Sequence, residues 1–209
     1  MILIINICKD KLHYSEFVKP IERIIENIGI NLYTKHYTKF SDKDLKAEKI
    51  IICGTSLADK DYLKDMKLFK WIDFYNKPIL GICGGMEILS DYFKGELYEE
   101  KEIGLKEIKF TKSFLGFKGK LKTYLLHKIC VKINTGQFEP YAYSNNLKII
   151  QAIKHKDKPF YGVLFHPEVR NKKLIEKFCG LWYKKLAISF HITHNRITNL
   201  FINFIHISS

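Results

Sequence analysis

The run Pro78-Ile79-Leu80-Gly81-Ile82-Cys83-Gly84-Gly85 constrains this chain more than any other segment. A short apolar stretch of strand type stops at a cysteine, and a helix-forming segment, Met86–Phe93, follows at once. The thiol is thereby held on a tight strand-to-helix turn. Glycines on both sides let the backbone bend sharply and leave room for a reactant to approach. A helix N-terminus beneath the sulfur favours negative charge and so eases thiolate formation.

The rest of the first half agrees with such a turn. Apolar strands alternate with helical patterns, which predicts a mainly parallel sheet flanked by helices, an α/β fold. Strands are expected at residues 2–7, at Asn31–His36 and at Lys49–Cys53, where Ile50-Ile51-Ile52 is wholly apolar. Val18, Ile21, Ile24, Ile25 and Ile28 fall at helical spacing within Ser15–Ile28, with Gly29 as the stop and Pro20 confined to the first turn. A further helix is predicted over Asp61–Phe74. After Gly95 the pattern changes to short alternating runs, Ile103–Phe110 and Leu121–Ile133, so residues 102–153 read as a smaller antiparallel section. Pro159–Phe165 returns to a buried strand and Lys172–Leu186 to a closing helix. One domain over 1–186 is expected, with 187–209 as a tail that is either an interface helix or a loosely ordered extension.

A chain of 209 residues suits one such domain and no second full enzyme. No window approaches the roughly 18 uncharged apolar residues of a membrane span, and the N-terminus lacks the features of a signal peptide. Five scattered cysteines without a C-x-x-C pair argue against a disulfide framework or a zinc site and fit a reducing cytoplasm. The net charge of +13 comes from lysines interleaved with acids, without a block of five or six. That is a solvated surface, suited to an anionic substrate or acidic partner subunit, and nucleic-acid binding is not expected.

The chemistry needs more than a thiol. At an ordinary pKa only roughly 3% of a cysteine is thiolate at neutral pH, so a nucleophile requires a base, and the base requires an orienting partner. Tyr161-Gly162-Val163-Leu164-Phe165-His166-Pro167-Glu168 offers both, again at the end of an apolar strand. If the strands ending at 83 and 166 are neighbours, Cys83, His166 and Glu168 meet at the carboxyl edge of the sheet, where open α/β sheets carry their sites. The N–H of Gly84 and the turn Cys53-Gly54-Thr55-Ser56 are candidate oxyanion donors, each worth roughly 3–4 kcal/mol of barrier. Cys8, Cys53, Cys130 and Cys179 read as inert core residues, and His13, His36 and His155 as surface or core residues.

Gly81-Ile82-Cys83-Gly84-Gly85-Met86-Glu87 resembles the G-x-C-x-G-x-Q motif of class I glutamine amidotransferases, and Phe165-His166-Pro167-Glu168 matches their F-H-P-E pattern. The resemblance runs from Met1 to about Leu186. It implies the flavodoxin-like fold of that family and a glutaminase: Cys83 attacks the side-chain amide of glutamine, His166 shuttles the proton and Glu168 orients His166. A γ-glutamyl thioester then forms and is hydrolysed, and the ammonia passes to a separate synthetase. No metal or organic cofactor is implied. His127-Lys128 and the run from Lys154 to Glu168 are similar to the separate glutaminase subunit of GMP synthases, first among several related synthases.

Three departures bear on substrate binding. Glu87 stands where the family's glutamine contacts the substrate, and a carboxylate there would repel the substrate's own unless it is protonated or turned away. Gly54-Thr55-Ser56 replaces a Gly-Gly-Pro turn, and a positive φ at Thr55 would strain a β-branched residue. Leu126 replaces a serine that precedes the family's histidine. Two alternatives follow: hydrolysis of another γ-glutamyl amide, or a catalytically weak binding or regulatory subunit of the same fold.

Overall fold

The computed structural model describes residues 1–144 and 148–181. Nine strands form one sheet in the order β2-β1-β3-β4-β9-β8-β7-β5-β6. Strands β1 (Ile2–Asn6), β2 (Leu32–His36), β3 (Lys49–Ile52), β4 (Ile79–Ile82) and β9 (Phe160–Val163) run parallel to one another. Strands β8 (Ile149–His155), β7 (Phe138–Ser144), β5 (Glu96–Phe114) and β6 (Phe117–Lys132) continue the sheet antiparallel. This is the mixed α/β arrangement expected. The central strands are apolar at consecutive residues because helices cover both faces; every residue of β3 and β4 is buried.

The helices are α1 (Lys11–His13), α2 (Lys19–Asn27), α3 (Asp61–Lys64), α4 (Gly84–Tyr92) and α5 (Lys173–Cys179). Pro20 lies in the first turn of α2, where its missing N–H costs nothing. Val18, Ile21 and Ile25 are fully buried, whereas Ile28 is exposed at the helix end. Gly29 then reverses the chain at φ 71°, its N–H bonded to Glu26 O at 2.9 Å.

Three expectations need correction. The helix expected over Ser15–Ile28 is α2 preceded by a wider π-helical turn, Tyr14–Val18, and by α1. The helix expected over Asp61–Phe74 is only α3 followed by 3₁₀ turns, Met66–Asp73. Phe69, Ile72 and Tyr75, spaced three apart, are all buried, and that spacing suits a helix of three residues per turn. The two short antiparallel runs are parts of one long hairpin, β5–β6, paired from Glu96↔Lys132 out to Phe114↔Phe117. Its turn, Leu115-Gly116, has φ of 50° and 82°, both positive as tight hairpin turns require. Much of β5 is exposed, so it carries no continuous apolar alternation to read. Lys118, Lys120 and Lys122 project from β6, the last strand of the sheet, and all are exposed. The end of the expected closing helix and the tail 187–209 lie outside the described residues. Among the described residues no helix is long and apolar enough to cross a membrane.

Helix α4 packs very closely on the sheet. A Cβ on Gly85 would lie 2.3 Å from Ile52 O, and one on Gly81 would lie 2.4 Å from Gly85 O. Both contacts are with backbone, which cannot swing aside. Gly85→Ala is therefore expected to destabilise the protein by at least about 2 kcal/mol, as overpacking of a rigid site does. Urea denaturation followed by circular dichroism measures it.

Candidate active site

Cys83 sits between β4 and α4 with φ 48° and ψ −107°, a conformation that L-residues other than glycine avoid. Three backbone bonds hold it there. Its N–H donates to Val163 O at 2.7 Å, and its carbonyl accepts from Met86 N at 2.8 Å and Glu87 N at 3.1 Å. The first of these ties the thiol-bearing turn to β9, whose pairing with β4 sets Ile82 opposite Val163. Three residues beyond β9, His166 arrives at the same edge, its N–H bonded to Tyr124 O at 2.9 Å.

The His166 ring is fully buried. Nδ1 is 2.7 Å from Glu168 Oε1, and Nε2 is 3.4 Å from the carbonyl of Leu126. Both neighbours are acceptors, an arrangement that favours the doubly protonated, imidazolium form of the ring. Burial alone would discourage that charge. Glu168 and the Cys83 sulfur outweigh it and hold the imidazole well above its usual pKa. The Cys83 thiol donates to the same Leu126 carbonyl at 3.6 Å. Burial pushes this thiol up, while the imidazolium pulls it down. The structure thus brings Cys83, His166 and Glu168 together, and Leu126 enters through its carbonyl rather than its side chain.

The other expected residues line the same space. A Cβ on Gly54 would lie 2.8 Å from His166 Cε1 and 3.2 Å from Cys83 Cβ, so only glycine lets this turn close over the pair. Thr55 does not have a positive φ, and the feared strain does not arise. Its hydroxyl instead donates to Asp59 Oδ2 at 2.6 Å. Gly84 follows the sulfur as the first residue of α4, where helix N–H groups have no intrahelical partner. Glu87 is 3% exposed and accepts the Tyr62 hydroxyl at 2.6 Å. Burial raises its pKa to about 7 against the opposing pull of Tyr62, Lys60 and His166. The cavity among these residues has a volume of about 20 Å³, enough for roughly one water, so a larger reactant must part its walls.

Sequence reasoning missed Tyr62 and Asp59, which reach the cavity from α3 and the turn before it. It also missed a buried network on the hairpin. Glu102 Oε2 accepts from Ser144 Oγ at 2.6 Å and Gln151 Nε2 at 2.8 Å and lies 3.4 Å from His127 Nε2. This pins the strand beside Leu126. All five cysteines are buried and unbridged. His155 is a core residue among Phe93, Phe138 and Phe160, whereas His13 bonds Asp59 at 2.8 Å.

An elbow cysteine facing a histidine–carboxylate pair at the edge of a mixed sheet defines a family, and residues 13–179 match the profile of "Glutamine amidotransferase class-I". This chain belongs to the class I glutamine amidotransferases. A glutamine-hydrolyzing GMP synthase subunit from Pyrococcus abyssi is 38% identical over 79% of this chain and 95% of its own length. The glutamine-hydrolyzing GMP synthase of Francisella philomiragia is 30% identical over 78% of this chain, which spans only 34% of that longer protein. A Thermoplasma acidophilum crystal structure, described as that of a GMP synthase subunit, superposes with a TM-score of 0.78 at 20% identity, covering 90% of this chain and 96% of that one.

Glu168→Gln removes the charge that holds the imidazolium. In that variant His166 is expected to lose its proton at a distinctly lower pH than in the parent, as followed by the ring-proton shifts of His166 in NMR titration.

Proposed function

We propose that this chain is the glutaminase subunit of a two-component GMP synthase, with Cys83 as nucleophile, His166 as proton carrier and Glu168 as its orienting carboxylate. The single observation that carries the chemistry is the convergence of the Cys83 sulfur and the His166 ring on one backbone carbonyl, with Glu168 behind the ring. The pathway rests on the likeness to the Pyrococcus subunit over nearly its whole length.

In this mechanism the Cys83 thiolate adds to the γ-carbonyl of glutamine. The carbon–oxygen π electrons move to oxygen, where the N–H of Gly84 and the turn at Gly54-Thr55 supply donors. His166 Nε2–H protonates the amide nitrogen, the C–N bond breaks and ammonia leaves a γ-glutamyl thioester. The now neutral imidazole takes a proton from water as the water attacks. That transfer restores the imidazolium; the tetrahedral adduct then expels the thiolate and leaves a γ-carboxylic acid, which gives its proton to solvent and departs as glutamate. Glu168 stays ionised throughout and keeps Nδ1 protonated. The ammonia goes to a separate synthetase that builds the nucleotide.

Two titrations bound the active form. Activity rises with pH as the thiol, pushed up by burial, loses its proton. It falls when the imidazolium, held well above its usual range, loses the proton that the leaving group needs.

The test is ammonia release from glutamine by the full chain, alone and with a synthetase that lacks its own amidotransferase domain. Turnover by the parent is expected to drop at least about 1,000-fold in Cys83→Ala and about 100-fold or more in Glu168→Gln. A glutamine-analogue alkylator is expected to label Cys83 alone. The buried carboxyl of Glu87 beside the sulfur favours a second reading, hydrolysis of a different γ-glutamyl amide. Ammonia or amine release from such an amide, and none from glutamine, would establish it. No turnover under any condition, with Cys83 inert to the alkylator, would leave only a binding protein of this fold.

A further inference from the structure

Two carbonyls of β6, two residues apart, hold His166 from one side. Tyr124 O accepts its backbone N–H at 2.9 Å, and Leu126 O lies 3.4 Å from ring Nε2. Leu126 O also receives the Cys83 thiol at 3.6 Å, so sulfur and imidazole share one acceptor. Whatever fixes that carbonyl fixes both of them.

The next residue is the anchor. The His127 ring is buried, with Nε2 3.4 Å from Glu102 Oε2 of β5 and Nδ1 3.6 Å from the Cys130 sulfur. Glu102 Oε2 also receives Ser144 Oγ of β7 at 2.6 Å and Gln151 Nε2 of β8 at 2.8 Å. Burial would raise the Glu102 carboxyl, but His127 and Ser144 outweigh it and hold it below its usual range. Gln151 closes a circuit: its backbone carbonyl accepts the N–H of Leu164 at 3.0 Å, two residues before His166. The path from His166 runs through Leu126, His127, Glu102 and Gln151 to Leu164 and back. Each link is backbone, a hydrogen bond or an ion pair.

Cohesion alone does not account for this cluster. A buried ionic group replaced by well-packed apolar residues is often neutral or stabilising. The amide oxygen of Gln151 even lacks a partner among the described residues, which is a further cost. We propose that Glu102 and Gln151 are positioning residues: through His127 they fix the Leu126 carbonyl against Cys83 and His166 and so set the spacing of nucleophile and proton carrier. Neither lines the cavity at Cys83, so each acts through its neighbours. The proposal rests on the glutaminase reading and extends it to β5 and β8, strands that carry no catalytic residue.

The consequence is read at His166. An acceptor on Nε2 favours the protonated ring, so a Leu126 carbonyl that drifts lets the proton go at lower pH. The titratable groups that face the ring are Glu168 just beyond it, Cys83 at the elbow and Glu87 of α4. Phe17 packs on it as an uncharged ring, with centroids 5.4 Å apart. None of these changes when Glu102 or Gln151 is replaced.

The experiment follows the full chain by NMR titration of the His166 ring and by ammonia release from glutamine. Gln151→Met removes the amide donors without altering charge, and Glu102→Ala breaks the circuit at its centre. In both, His166 is expected to lose its proton about one pH unit lower than in the parent, the size of a weakened hydrogen bond to a charged group. The kcat is expected to fall about ten-fold or more while KM changes less than about two-fold. Glu102→Gln, which keeps an acceptor for Ser144, is expected to regain part of both. Phe114→Leu, buried at the far end of the hairpin, is expected to lower Tm and leave the titration and kcat alone. Should Glu102→Ala fail to fold, Gln151→Met decides. A His166 titration and kcat equal to the parent's, with only stability reduced, would overturn the assignment and leave the cluster as packing. No ammonia release by the parent would remove the glutaminase reading, and the His166 titration would still uphold or overturn the positioning.

Discussion

The pairing of β4 with β9 is the constraint on which the site depends. These strands are far apart in sequence, yet Gly81 lies opposite Gly162 and Ile82 opposite Val163. Each delivers its chemistry within a few residues of its end, so the register that aligns their termini also aligns thiol and imidazole. Small residues make the alignment rigid. A Cβ on Gly162 would lie 2.8 Å from Ile153 and 2.9 Å from Met86, and one on Gly81 would strike the backbone of Gly85. Helix α4 therefore rests directly on a glycine floor, and its N-terminus cannot drift relative to β9. Slipping this register by one residue would also turn every buried side chain of β4 to the opposite face.

The same contacts sustain the backbone at Cys83. A non-glycine residue at φ 48° costs on the order of 1–3 kcal/mol and persists only where its surroundings over-determine it. Here they do, through Val163 on one side and the first turn of α4 on the other. The consequence is that the sulfur projects from the turn toward Leu126 and His166 instead of into the core. Its polar neighbours, the Leu126 carbonyl and the His166 ring backed by Glu168, have fixed positions, which is the condition under which a buried electrostatic arrangement acts strongly.

How much of this was legible depended on whether the signal was local. The parallel strands were plain because burial on both faces leaves continuous apolar runs, as in Ile50-Ile51-Ile52. The cysteine and histidine turns were plain because glycines and a proline mark sharp backbone changes. The residues that complete the cavity were not. Tyr62 and Asp59 sit in an ordinary polar segment and gain meaning only when α3 folds against α4. The region 66–73 has apolar residues that a helix of either pitch would bury, so its 3₁₀ form was hidden. Glu87 was seen as an anomaly because sequence shows a carboxyl's identity but not its neighbours, and the neighbours decide its charge. Thr55 was suspected of strain that its actual backbone does not carry.

The lysines of β6 give the chain's large positive charge a structural meaning. An outermost strand presents unpaired backbone donors and acceptors to any passing strand, and a sheet of this size has such a border at β6. Lys118, Lys120 and Lys122 repeat at every second position there and project together. Two molecules that tried to zip along this border would bring two like-charged rows within the width of a strand pair, roughly 5 Å. Lys120 is tied to Glu107 at 2.8 Å, so the row would oppose such growth chiefly through Lys118 and Lys122, in the way charged edge strands discourage pairing.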